Sequence, residues 1–189
     1  MIAPGLEHVV FFVEGPSEQD FLKAFVPTLL PDRLTVHYQV FQGKQDMEKR
    51  LALRMRGWRQ PNTCFVVLRD QDSGDCVVIK NGLKKICRSA GHPHAVVRIA
   101  CKELETFFVG DWTGVAAAFE MPALTKLSVK AMYRQPDVLG SPSSELKKHI
   151  PTYQKRDGAR RVGQHIDPDR NTSQSFKALL RTIRQIAAA

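Results

Sequence analysis

Acidic side chains recur at three points of this chain, each directly after an apolar run. Glu14-Gly15-Pro16-Ser17-Glu18 follows His8–Val13, Asp70-Gln71-Asp72 follows Cys64–Arg69, and Glu103-Leu104-Glu105 follows Ala95–Lys102. Short apolar runs read as buried strands, and in an open α/β sheet ligands bind outside the carboxyl ends of the strands. The three clusters are therefore expected to gather at one edge of one sheet. Carboxylates held close without partners repel each other, and a hard divalent cation such as Mg²⁺, which takes oxygen ligands, relieves that repulsion. Asp70, Asp72 and Glu18 are the first-choice ligands. Glu14, set by the turn at Gly15, serves as ligand or general base. In metal-assisted phosphodiester hydrolysis such a set activates a water and steadies the leaving oxygen.

The elements that must position these acids follow from periodicity. Strands are predicted at 8–13, 34–41, 64–69 and 95–100. A helix capped by Ser17 carries Phe21, Leu22, Phe25 and Leu29 at helical spacing. Further helices are predicted over about 46–58 and 76–90, then from Glu103 to about Phe119, and finally from Ser173 to about Ile186. Residues 121–145, rich in Pro, Gly and Ser, are expected to wrap the surface. The alternation of strand and helix argues for an α/β fold with a mostly parallel sheet of about four strands flanked by helices. A single domain over residues 1–189 is expected, with a core at about 6–120 and a basic, helical C-terminal extension at about 121–189. In an extended segment Asp70 and Asp72, at i and i+2, present their carboxylates on one side. In a helix Glu103 and Glu105 lie about 200° apart, so both can contribute only if the chain is still extended there; Glu103 is the preferred of the two.

The formal charge is +9 and unevenly spread: residues 146–189 hold ten Lys/Arg against three Asp/Glu. A basic half beside an acidic centre suits a polyanion held near a metal site. Lys155, in Lys155-Arg156-Asp157-Gly158-Ala159-Arg160-Arg161, is read either as a cation that stabilises charge on a scissile phosphate or as an exposed charged helix end. The basic residues around Trp58 read as the solvated side of an ordinary helix. Cys64, Cys76, Cys87 and Cys101 lack C-x-x-C spacing, and with His92 and His94 they form no zinc pattern, so they are expected as reduced thiols in a cytoplasmic protein. There is no apolar stretch long enough to span a bilayer, no phosphate-binding G-x-x-x-x-G-K-[ST] loop and no G-x-S-x-G element.

The residues also carry a family resemblance. Val13-Glu14-Gly15-Pro16-Ser17-Glu18 and Asp70-Gln71-Asp72 resemble the glutamate and D-x-D motifs of Toprim domains, found in topoisomerases, primases and the overcoming-lysogenization-defect nucleases. Cys101–Asp111 is similar to the E-x-E-x-W-x-x-x-D block of a smaller Toprim-like family, the domain of unknown function 4276. Phe107 stands where that family usually has Trp, a difference of packing. Tyr153-Gln154-Lys155 and Thr172-Ser173-Gln174-Ser175-Phe176 resemble its closing motifs, so the likeness covers nearly the whole chain.

This resemblance implies a Toprim core whose D-x-D acids and a neighbouring glutamate bind Mg²⁺ or Mn²⁺. The implied ligand set is Glu14, Glu18, Asp70, Asp72 and Glu103, with Glu14 and Lys155 as catalytic residues. It further implies a metal-dependent nuclease acting on nucleic acid, with a separate AAA-type ATPase as partner in anti-phage defence. The competing expectation is a non-catalytic subunit whose acidic edge and basic tail bind an ATPase or nucleic acid. Oligomeric state is not legible.

Overall fold

The computed structural model describes residues 5–189. Among them, four strands form one sheet: β1 (His8–Val13), β2 (Thr35–Val40), β3 (Thr63–Asp70) and β4 (Val96–Ala100). Their order is β2-β1-β3-β4 and every pairing is parallel. Val9–Val13 and Cys64–Leu68 are buried throughout, as central strands of a parallel sheet must be when helices cover both faces.

The helices divide between those faces. On one lie α2 (Lys44–Gly57) and α3 (Cys76–Ser89), whose Met47, Leu51, Met55, Leu83 and Cys87 pack with Val10, Phe12, Phe65, Val67 and Val97. The other is covered by α1 (Pro16–Phe25), α4 (Glu105–Val109), α5 (Trp112–Ala118), α6 (Pro142–His149), α7 (Lys155–His165) and α8 (Gln174–Ala187). Their apolar faces build one cluster around Phe21, Phe107, Val162, Phe176 and Ile183, against Val9, Phe11 and Val66. The helical C-terminal part thus shares its core with the sheet. Phe107, in the place of the family's Trp, is fully buried and meets Phe176 edge-on at 5.4 Å. Among the described residues no helix is long and apolar enough to cross a membrane.

Three local expectations change. Helix α1 starts at Pro16, with Gly15 rather than Ser17 as its cap, because Pro is pre-organised for the first helical position. The helix predicted from Glu103 to Phe119 is two short ones, since Asp111 turns back to cap α5 by accepting from the Gly114 N–H. Residues 122–138 run as three short 3₁₀ segments, followed by α6.

Candidate active site

Neighbours β2 and β3 lie on opposite sides of β1, so the chain reverses its direction of growth between β1 and β3. In doubly wound sheets, that switch point opens a crevice beyond the carboxyl ends of the strands, where ligands bind. Glu14 follows the last residue of β1, and Asp70 is the last residue of β3. Register aligns Val13 with Leu68, which sets the two acids on adjacent strands at the mouth of the crevice. Helix α1 begins there too, carrying Glu18 one turn in.

Each acid is held differently. Glu18 is 6% exposed and its Oε2 accepts the Gly15 N–H at 2.8 Å, satisfying one of the donors a helix start leaves open. Glu14 Oε2 lies 3.6 Å from Arg69 Nε, beyond hydrogen-bonding reach, and Arg69 spends an N–H instead on Glu48. Glu14 Oε2 and Asp70 Oδ1 are both shut off from solvent with no hydrogen-bond partner among the described residues. Burying a carboxylate oxygen without a hydrogen bond is costly, and the crevice holds two of them, Glu14 Oε2 with only the Arg69 charge beside it.

The electrostatics agree. Burial pushes the Asp70 carboxyl well above the ordinary carboxylate range, and Glu18, Glu105 and Glu14 push it further, against Lys155. Glu18 is raised to about 6, by burial first and by Glu14 and Glu105 after it. Glu14 is raised by burial and by Asp72, with Arg69 pulling the other way. Glu105 is raised by burial, with Lys155 opposing. Burial works against the charge of Lys155, but Glu105, Glu103, Asp70 and Glu18 outweigh it and hold its pKa above the usual value. Glu14, Glu18, Asp70, Glu105 and Lys155 therefore form one electrostatic unit.

Asp72 stands apart from Asp70. Its backbone takes φ 54°, its N–H donates to the Lys102 carbonyl, and its carboxylate turns to Lys44 Nζ at 2.9 Å. The left-handed residue breaks the strand alternation that was expected to align the pair, leaving Asp72 at the rim beside Glu14 with Asp70 deeper in.

Glu103 lies before α4, in non-helical chain, so it and Glu105 can both reach Lys155, at 3.9 and 3.7 Å. Glu105 is the more buried, at 1% exposure, and accepts the Tyr153 hydroxyl at 3.0 Å. Glu103 sits further out and accepts the Ser143 N–H.

Three participants were not legible as site residues. Tyr153 is buried beside Gly158, where any β-carbon would overlap its ring, so the glycine makes room for the hydroxyl to reach Glu105. Arg69 is buried beside Glu14, and Lys44 caps the rim; a lone basic residue carries no sequence signal that would have singled out either. Asp111, the last acid of the E-x-E-x-W-x-x-x-D block, is a structural staple instead: buried, it accepts from Arg170 Nε and Nη2, Gly114 N–H and Asp167 N–H.

The donor set is all carboxylate oxygen, the chemistry that Mg²⁺ or Mn²⁺ requires, and the two orphaned oxygens fit such a cation. As the side chains stand, among the described residues no group of three or more His, Cys, Asp or Glu is close enough to hold a metal ion. A cation held here would need the carboxylates to leave these positions.

Comparison with known proteins adds the following. A family described as "Domain of unknown function (DUF4276)" matches residues 13–184. No curated protein matches. The C-terminal region of the Burkholderia pseudomallei OLD protein superposes with a TM-score of 0.60 at 18% identity, covering 95% of this chain and 98% of that one. The C-terminal region of the Xanthomonas campestris pv. campestris OLD protein gives 0.50 at 16% identity, covering 98% of each chain. At these identities the likeness is one of fold.

Proposed function

We propose that this chain, which belongs to the DUF4276 family, is a divalent-metal-dependent nuclease on a Toprim-like fold, the effector of a separate AAA-type ATPase. One observation supports the reading: at the β1/β3 switch point Asp70 Oδ1 and Glu14 Oε2 are buried without a hydrogen bond among the described residues, Glu14 Oε2 having only the Arg69 Nε at 3.6 Å. In a protein interior such oxygens are expected to be paired, and a hard cation pairs both.

Asp70, Glu14 and Glu18 would hold the cation, with Glu105 or Glu103 completing the set and Asp72 at the rim. A cation there would lower the pKa of an attacking water and neutralise charge at the leaving oxygen. Glu14, whose Oε2 faces Arg69 at 3.6 Å without a hydrogen bond to it, would serve as a ligand or take the water's proton. Lys155, exposed on one side and facing Glu105 on the other, offers an ammonium to the phosphate charge that develops in the transition state. Tyr153 holds Glu105 Oε1 through its hydroxyl at 3.0 Å, while Glu105 Oε2 faces Lys155 at 3.7 Å.

The test is a paired series on the parent, Asp70→Asn and Asp72→Asn. Melts in chelator, Mg²⁺ and Mn²⁺ are run beside cleavage of plasmid, linear and single-stranded nucleic acid, with and without the ATPase neighbour. Binding to native chain alone stabilises by RT ln(1 + [L]/Kd), about 2.7 kcal/mol at a hundredfold excess over Kd. The parent should gain that stability and cut, and Asp70→Asn should do neither. Melts identical under all three conditions, with no cutting by any protein, would replace this reading with a non-catalytic, ATPase- or nucleic-acid-binding subunit. The absence of a preassembled three-carboxylate group among the described residues is what favours that second reading.

A further inference from the structure

Every charge between the two ends of α3 has the same sign. Lys80, Lys84, Lys85 and Arg88 lie between Cys76 and Ser89 with no Asp or Glu among them. At about 100° per residue the four fall within an arc of about 140° that also holds Val77 and Asn81, with Lys85 and Arg88 exposed and Lys80 and Lys84 half-buried at its edge toward Leu83 and Cys87, which pack into the core. Lys80–Lys84 and Lys84–Arg88 are like-charge pairs at i,i+4, a spacing that weakens a helix. Among the ion pairs of the described residues none involves α3, so this repulsion is not relieved within the chain.

The basic C-terminal part behaves in the opposite way. Arg156 pairs with Asp20, Arg160 and Arg161 with Asp157, Arg170 with Asp111 and Asp167, and Arg184 with Asp169. Five arginines of this part therefore each face a carboxylate. An uncompensated stripe lies instead on the helix whose cap, Asp75, comes three residues after Asp72. From the rim of the acidic crevice, α3 leads outward. Lys80, Lys84 and Arg88 rise about 6 Å from one to the next, roughly 12 Å in all. That is the length of about three to four phosphates on a strand that advances ~3.4 Å per phosphate.

We propose that this face of α3 binds the phosphate backbone of a nucleic acid and leads it to the acidic crevice. The identity of the ligand rests on the nuclease reading above; the electrostatic contact is tested separately from it. Fluorescence anisotropy of labelled single-stranded and duplex DNA is measured in chelator, where no metal-dependent cutting occurs, over a NaCl series. The full-length parent is compared with a Lys80→Gln/Lys84→Gln/Lys85→Gln/Arg88→Gln variant and with an Arg156→Gln/Arg160→Gln/Arg161→Gln variant on α7.

The α3 variant should bind at least about tenfold more weakly at low salt. Its slope of log K against log salt should shrink by about three, given ~0.7–0.9 per phosphate contact. It should melt no lower than the parent, because like-charge repulsion has been removed. The α7 variant should lose less than about threefold. No DNA binding by the parent, an equal loss in both variants, or an unchanged salt slope overturns the proposal. Parent binding that disappears with α3 while no protein ever cuts DNA keeps this proposal and sinks the nuclease reading. Metal-dependent cutting that survives intact in the α3 variant does the reverse.

Discussion

Replacing Glu18 by Gln should stabilise the metal-free protein at neutral pH, which is the opposite of the usual result of altering a buried polar side chain. Glu18 is 6% exposed, and its carboxyl is raised from 4.5 to about 6 by burial, with Glu14 and Glu105 adding to it. At about 1.4 kcal/mol per pH unit, that displacement amounts to roughly 2 kcal/mol. Its sign follows from linkage: a carboxyl with a raised folded pKa binds more protons in the native state than in the unfolded one. Its stabilising contribution is complete below about pH 4.5 and is lost as pH rises to about 6. Gln carries no charge to bury and can still accept the Gly15 N–H that Glu18 accepts at 2.8 Å.

Melts in chelator between about pH 4 and pH 8 should show parent and Glu18→Gln nearly coincident at the acid end. They should separate through the window from about 4.5 to 6 and run parallel above it, the variant ahead by about 2 kcal/mol, or roughly 4–8 °C for a chain of this size. Addition of Mn²⁺ at pH 7.5 should reverse the order, since the parent keeps the anionic ligand that the variant lacks. A constant gap at every pH, or a parent more stable than the variant at pH 7.5 in chelator, would refute the argument that Glu18 is held at the crevice against its own ionisation.

Two further substitutions separate the site from its scaffold. Tyr153→Phe removes the hydroxyl that Glu105 accepts at 3.0 Å; it should cost about 2 kcal/mol by urea denaturation and weaken Mn²⁺ binding in calorimetry, both from one lost hydrogen bond. Asp111→Ala leaves Arg170 and the Gly114 and Asp167 N–H groups without their acceptor. It should cost about 3 kcal/mol while leaving the Mn²⁺-dependent rise in melting temperature unchanged, because Asp111 makes no contact with the crevice acids.

Architecture was legible because period and burial are local properties. His8–Val13 and Cys64–Leu68 are unbroken apolar runs, and an unbroken run of that length between turn signals has few alternatives to a buried parallel strand. The placement of Glu14 and Asp70 followed from strand ends alone. What was lost depended on single backbone torsions and on distant partners. Nothing in Asp70-Gln71-Asp72 announces that Asp72 adopts φ 54° and faces Lys44. The setting of Glu105 was not legible either, because its hydrogen-bond donor, Tyr153, lies 48 residues away. The Pro- and Ser-rich stretch hid α6 because its helix is only Pro142–His149, too short for a period to emerge. Charge totals mislead in a different way: the C-terminal excess is real, but Asp20 and Asp111, outside that part of the chain, answer Arg156 and Arg170 across contacts that a count cannot register.

The two charged features of the molecule make sense only together. Glu14, Glu18, Asp70 and Glu105 face a limited supply of cations: Lys155 opposes Asp70, Glu18 and Glu105, and Arg69 opposes Glu14. Left alone, such a crevice repels any phosphate that approaches it. A divalent cation changes the sign of that interaction locally, yet over distances of the order of a Debye length, about 8 Å at physiological salt, the acids still disfavour a polyanion. On the proposed reading, positive charge outside the crevice would assist the capture of a polyanion. Helix α3, which carries the face proposed above, is capped by Asp75, three residues after the rim residue Asp72, and its first lysine, Lys80, comes about 7.5 Å of helix rise after that cap. On the two proposals made above the acids would gather a cation and the helix the phosphate backbone, and the salt dependence of DNA binding in chelator measures the second without the first.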